Sequence, residues 1–167
     1  MAIYGCEVDV VRVTDQRRSE AELYRAHRTE LVRFATALVG ASDAADVVSE
    51  AVISLLKSGR LAGTDSPASL MYRAVSAKAM SLHRSRFRSR ARERRFAEPL
   101  IAHDPSQKPE VFEAVAALSL QQRACVYLTY WEDLGPEAVA FRLGISVGAV
   151  KKYLARARAR LREVLDE

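Results

Sequence analysis

The sequence predicts an all-α protein: two small helical domains joined by a flexible linker, the second containing a helix-turn-helix. Three observations lead there. Apolar residues recur at steps of three and four through most of the chain, the spacing of helices with one buried face. A proline-bearing, aperiodic stretch, "AEPLIAHDPSQKPE", interrupts that rhythm near the middle. Beyond it, glycine and serine punctuate the sequence where a tight turn between two helices needs them. The division is an N-terminal arm at 1–17, a first helical domain at 18–95, a linker at 96–109 and a second domain at 110–167.

The first residues give the weakest signal, because "CEVDVVRV" reads equally as a short strand and as a disordered arm. Leu23, His27, Leu31, Phe34 and Leu38 then mark a helix, closed by Gly40 just past its end. A second helix is expected with Ser42 as its N-cap and Ala44, Val47, Val48, Ala51 and Leu55 as its apolar stripe. "KSGRLAGTDS" reads as a loop. Ser66 and Pro67 open a third helix, since proline in the first turn loses no helical hydrogen bond. Leu70, Ala74 and Leu82 form its stripe before it runs into arginines.

After the linker, Ser119 and Gln122 have the spacing of a capping box, and their helix should reach about Glu132. Gly135-Pro136 opens the next helix and Gly144 ends it. Ser146 caps a last helix whose stripe is Val147, Val150, Leu154, Ala157, Leu161 and Val164.

Charge and composition narrow the function. The 167 residues carry a formal charge of +5, which favours an anionic partner. Half of the 26 basic residues lie in two short runs, Leu82 to Arg95 and Lys151 to Arg162. Cys6 and Cys125 stand far apart with no Cys/His cluster, so neither a disulfide framework nor a metal site is indicated. No run has the roughly 18 apolar residues of a membrane span, and a cytoplasmic, non-inserted protein is expected. His27 lies on an apolar helix face, and His83 and His103 lack carboxylate or cysteine partners at recognisable spacing. No phosphate-binding glycine loop or nucleophile motif is present, so no catalytic residue, no enzyme activity and no cofactor are expected.

The last helix is the most informative. Opposite its apolar stripe, Gly148, Ala155 and Ala159 alternate with Lys152 and Arg156, flanked by Lys151, Arg158, Arg160 and Arg162. Such a thinly clad basic face allows close approach to a groove floor while long side chains reach phosphates. Alone, an Arg/Ala-rich helix reads more readily as a soluble, strongly helical surface. Upstream, however, Val139, Ala140, Gly144, Ile145 and Val150 hold the places a helix-turn-helix requires, and its second helix enters the major groove N-terminal end first. Ser146, Val147, Gly148, Ala149, Lys151 and Lys152 then lie nearest the bases, with Arg156 and Arg158 farther along. In the other basic run, Arg84, Arg86 and Arg88 are phosphate-contact candidates, interleaved by Phe87.

"LSLQQRACVYLTYWEDLGPEAVAFRLGISVGAVKKYLARARARLREVL" closely resembles region 4 of bacterial RNA polymerase sigma factors of the extracytoplasmic-function (ECF) group. "LYRAHRTELVRFATALVG", "DAADVVSEAVISLL" and "SPASLMYRAV" are similar, more loosely, to region 2 of that group. The resemblance spans roughly Ser19 to Leu165. It implies that region 4 reads the −35 element and touches the β flap of core RNA polymerase. It also implies that region 2 docks on the β′ clamp helices and opens the −10 element. By resemblance, Asp43, Asp46, Val47, Glu50 and Ile53 face the polymerase, and Ala77 and Ser81 fall in the −10 region. Family members are often held by an anti-sigma factor, and no C-terminal sensory domain is expected.

The departures concentrate in region 2. Leu70 stands where tryptophan is common, Ala77 where asparagine is, and Ser81 where an acid is, and the "KSGRLAGTD" loop lacks an aromatic residue. In the last helix, Ala149 replaces a frequent threonine. Two alternatives follow: a sigma-like polymerase adaptor that melts promoters poorly, and a free-standing helix-turn-helix regulator, which would need a dimer surface.

Overall fold

The computed structural model describes residues 6–61, 64–92 and 114–165. Among them are α1 (Cys6–Val39), α2 (Ala41–Lys57), α3 (Pro67–Arg92), α4 (Leu120–Tyr130), α5 (Pro136–Leu143) and α6 (Val147–Leu165), and there is no strand. The linker at 96–109 and residues 1–5 of the arm lie outside the described residues. From Cys6 onward, the stretch expected as strand or arm is the start of α1.

Local chemistry sets the helix ends. Gly40, at φ 88°, turns the chain out of α1 while its N–H donates to Thr36 O at 2.9 Å. That turn starts α2 at Ala41, so Gly40 and not Ser42 holds the N-cap position, and Ser42 Oγ instead lies 3.5 Å from Asp43 Oδ2. The expected start of α3 at Pro67 holds. The capping box also forms: Gln122 N–H donates to Ser119 Oγ (3.3 Å) and Ser119 N–H to Gln122 Oε1 (2.8 Å). Helix α4 stops at Tyr130, two residues short of the expected end, where Asp133 at φ 51° reverses the chain and Leu134 N–H reaches back to Leu128 O.

Helices α1, α2 and α3 pack on one another, as do α4, α5 and α6. The lower half of α1 (Leu31, Phe34, Ala35, Leu38) and the α2 stripe are buried, whereas Leu23 and His27 are only half-buried. In α3 the deepest residues are Met71, Tyr72, Val75 and Ala79, while the expected Leu70, Ala74 and Leu82 flank them. The reason is that α3 has neighbours on several sides. It packs against α1 and α2 and also against α4 and α5.

The two helix groups therefore share one core. The ring of Phe34 lies 4.9 Å from that of Tyr72 within the first group and 5.6 Å from that of Tyr127 in the second. Tilted rings at these distances are favourable beyond the area they bury.

Candidate nucleic-acid interface

In the second group, α5 and α6 meet across a three-residue turn. Gly144 sits at φ 68°, ψ 37°, the left-handed conformation that a Cβ resists. Its N–H and that of Ile145 both donate to Ala140 O, at 2.8 and 3.1 Å. Ala140 and Val150 are buried at the helix crossing, as the sequence pattern requires. Ser146 Oγ accepts from Ala149 N–H at 3.1 Å, capping α6. Val150, Leu154 and Ala157 bury the inner face of α6 against α4 and α5.

The outer face carries Ser146, Gly148, Lys151, Lys152, Arg156 and Arg158, all exposed. Gly148 borders open space, where an added Cβ would meet only Ser146 Oγ, at 4.0 Å. Val147 and Ala149 are half-buried, and Val147 packs against the core, so the surface offered to a groove is narrower than the sequence pattern suggests. Arg158 is held in place, its Nε donating to the Tyr130 hydroxyl at 2.9 Å.

On α3, Ala77, Ser81, Arg84 and Arg88 are exposed, and their spacing of four, three and four puts them on one stripe. Arg86 does not join them. Its Nη1 and Nη2 donate to the two Asp43 carboxylate oxygens, each at 2.7 Å, in a fork that ties α3 to α2. Those hydrogen bonds hold the Asp43 carboxyl below the usual carboxylate range. Arg73, one turn before Ala77, belongs to the same stripe. It was not singled out from the sequence because it lies outside the arginine run.

Among the polymerase-facing candidates, Val47 is 3% exposed and belongs to the core, not to a docking surface. Asp43 is engaged with Arg86, and Glu50 is ion-paired with Lys78 of α3. Asp46 and Ile53 are exposed, and Leu56, three residues beyond Ile53, extends that face. No helix among the described residues is long and apolar enough to cross a membrane.

Comparison with known proteins agrees with this architecture. Residues 110–161 match the family described as Sigma-70, region 4. The ECF RNA polymerase sigma factor SigL of Mycobacterium tuberculosis is 28% identical over 178 residues, covering 95% of this chain and 97% of that protein. Over nearly its whole length the chain is similar to an ECF sigma factor. The RNA polymerase sigma-E factor of Streptomyces antibioticus is 45% identical over 56 residues, covering 34% of this chain and only 31% of that protein. Two solved structures share the fold. The sigma factor RpoE, in complex with the anti-sigma factor NepR from Bartonella quintana, has a TM-score of 0.68 at 23% identity, covering 87% of this chain and 96% of that one. CnrH, in complex with the cytosolic domain of CnrY, has a TM-score of 0.61 at 24% identity, covering 90% and 89%.

Proposed function

We propose that this chain is an ECF sigma factor that binds core RNA polymerase and directs promoter-specific initiation, with the second helix group reading the −35 element and the first opening the −10 element. The observation that carries the reading is the outer face of α6: exposed Lys151, Lys152 and Arg156 around the bare Gly148, on a helix-turn-helix whose inner face is fully packed. Ser146, Gly148, Lys151 and Lys152 are the base-proximal residues, and Arg156 and Arg158 contact phosphates. On α3, Arg84 and Arg88 take the phosphate role, beside Ala77 and Ser81. Asp46, Ile53 and Leu56 form the polymerase contact. The chain acts in the cytoplasm, without a cofactor or catalytic residue of its own, and an anti-sigma factor is its natural antagonist.

Co-elution with bacterial core RNA polymerase, followed by run-off transcription from a promoter library, tests this. Stable binding with new transcripts is expected. Absence of any polymerase binding would refute the proposal and leave a free-standing DNA regulator. Binding without transcripts would favour the adaptor reading. That second reading is supported by Ala77 and Ser81, exposed on α3 where an amide and an acid are usual in the family.

A further inference from the structure

The arginines of the two basic runs are not equivalent. Arg160 is ion-paired with Glu163 at 3.1 Å, and Arg86 is closed in its fork with Asp43. Arg158 has a different kind of partner. Its Nε donates at 2.9 Å to the hydroxyl of Tyr130, and among the described residues its Nη1 and Nη2 have no partner. A neutral acceptor fixes a guanidinium without cancelling its charge. It also takes only one of five N–H donors, so the two-pronged end of the fork stays open to an anion.

Tyr130 is well placed to aim that fork. It is the last residue of α4, two positions beyond the buried run Ala124 to Leu128, so its backbone is anchored in the core while its side chain is 55% exposed. A group carried on a packed helix holds its partner more closely than one on a loop. Arg158 lies seven residues after Lys151 and four before Arg162, and all three are exposed. At 100° per residue they share one flank of α6, with Lys151 about 10 Å nearer the base-reading end. Cations in line along the flank of a groove-seated helix meet the phosphates of one groove wall, not the bases.

The advantage of holding Arg158 beforehand is entropic. A free arginine loses much of its rotamer freedom when a phosphate orders it, and one already fixed at Nε loses less.

We propose that Tyr130, on a helix outside the helix-turn-helix, is a positioning residue for DNA binding: its hydroxyl holds Arg158 with the guanidinium fork presented to a backbone phosphate on the flank shared with Lys151 and Arg162. The inference rests on the promoter-reading assignment of α6.

The test titrates the full chain, at several salt concentrations, with a duplex that it selects from a randomised pool. Tyr130→Phe, Arg158→Ala and the double variant are titrated alongside, and urea unfolding follows the stability of each. Tyr130→Phe keeps the ring and lacks only the hydroxyl. It should weaken binding about three- to tenfold, by the same factor at every salt concentration, because the phosphate contact itself survives. Arg158→Ala should lower the salt slope by about one. Adding Tyr130→Phe to Arg158→Ala should change nothing further, since no guanidinium remains to be aimed. Neutral methylphosphonates, placed one at a time, should reveal a position that costs the unmodified chain affinity and costs Arg158→Ala none.

A Tyr130→Phe variant that binds as tightly as the unmodified chain would overturn the inference. So would an equal loss with and without Arg158, the result expected of a purely structural tyrosine. If no form retains any duplex from the pool, the promoter-reading assignment fails and the inference with it. Retained duplex without a Tyr130 effect refutes the inference alone.

Discussion

Arg123 is half-buried and engaged with three main-chain oxygens: it donates to Leu38 O across the seam between the two helix groups, and to Ala116 O and Leu118 O in its own group, at 2.8, 2.8 and 3.0 Å. Burial lowers its pKa, but three carbonyl acceptors keep the guanidinium suited to the site. Arg123→Met should therefore destabilise the chain by about 1–3 kcal/mol, since three main-chain carbonyls lose a charged donor. Urea unfolding followed by circular dichroism would measure it. A loss below about 0.5 kcal/mol would mean that water replaces the arginine freely.

Lys151→Ala and Lys152→Ala should each weaken binding to the upstream element, by roughly 1–3 kcal/mol where the lost contact is to a base edge. Titration of a −35 duplex at several salt concentrations separates the roles. A reduced salt slope marks a phosphate contact, and a change in preferred sequence marks a base contact. Unchanged affinity in both variants would remove α6 from the groove.

The Asp43–Arg86 fork carries a pH signature. The folded-state pKa of Asp43 is lowered, chiefly by the hydrogen bonds from Arg86, so its contribution is present above the unfolded carboxylate value of about 3.9. It is lost as pH falls through the lowered folded value. Asp43→Asn should cost stability at pH 7 and progressively less below about pH 4. Thermal midpoints of both forms at pH 7 and pH 3 check this, and a constant difference across that range would contradict it.

Gly144 has two reasons to be glycine. Its left-handed conformation costs another residue about 1–2 kcal/mol. In addition, a Cβ there would lie 2.7 Å from Arg73 Nε. Gly144→Ala should therefore lose more stability in the native background than in an Arg73→Ala background. Equal losses in a double-mutant cycle would show that the side chain of Arg73 gives way at no cost.

Much of this was legible in the sequence, and the physics explains which part. Helix ends set by neighbours in the chain were readable: the Ser119–Gln122 capping box, Pro67, and the left-handed turn at Gly144. The buried face of α6 was readable too, because a single period governs it. Ser42 failed as an N-cap because Gly40 turned the chain one residue earlier. Val47 was carried to the surface by family position although its own apolar stripe placed it in the core. Arg86 could not be separated from its neighbours Arg84 and Arg88, because what distinguishes it is a carboxylate 43 residues away. The seam was invisible for the same reason: Arg123 and Leu38 are 85 positions apart, and no local periodicity links them.

The chain's one tryptophan, Trp131, lies nearly parallel to Tyr127, with 6.1 Å between ring centres and 4° between planes, and Tyr127 in turn touches Phe34 across the seam. The aromatic chromophores thus form a short relay that begins in one helix group and ends in the other. Ultraviolet emission from that indole is consequently a label-free optical gauge of how the halves of the molecule sit together, legible in a cuvette.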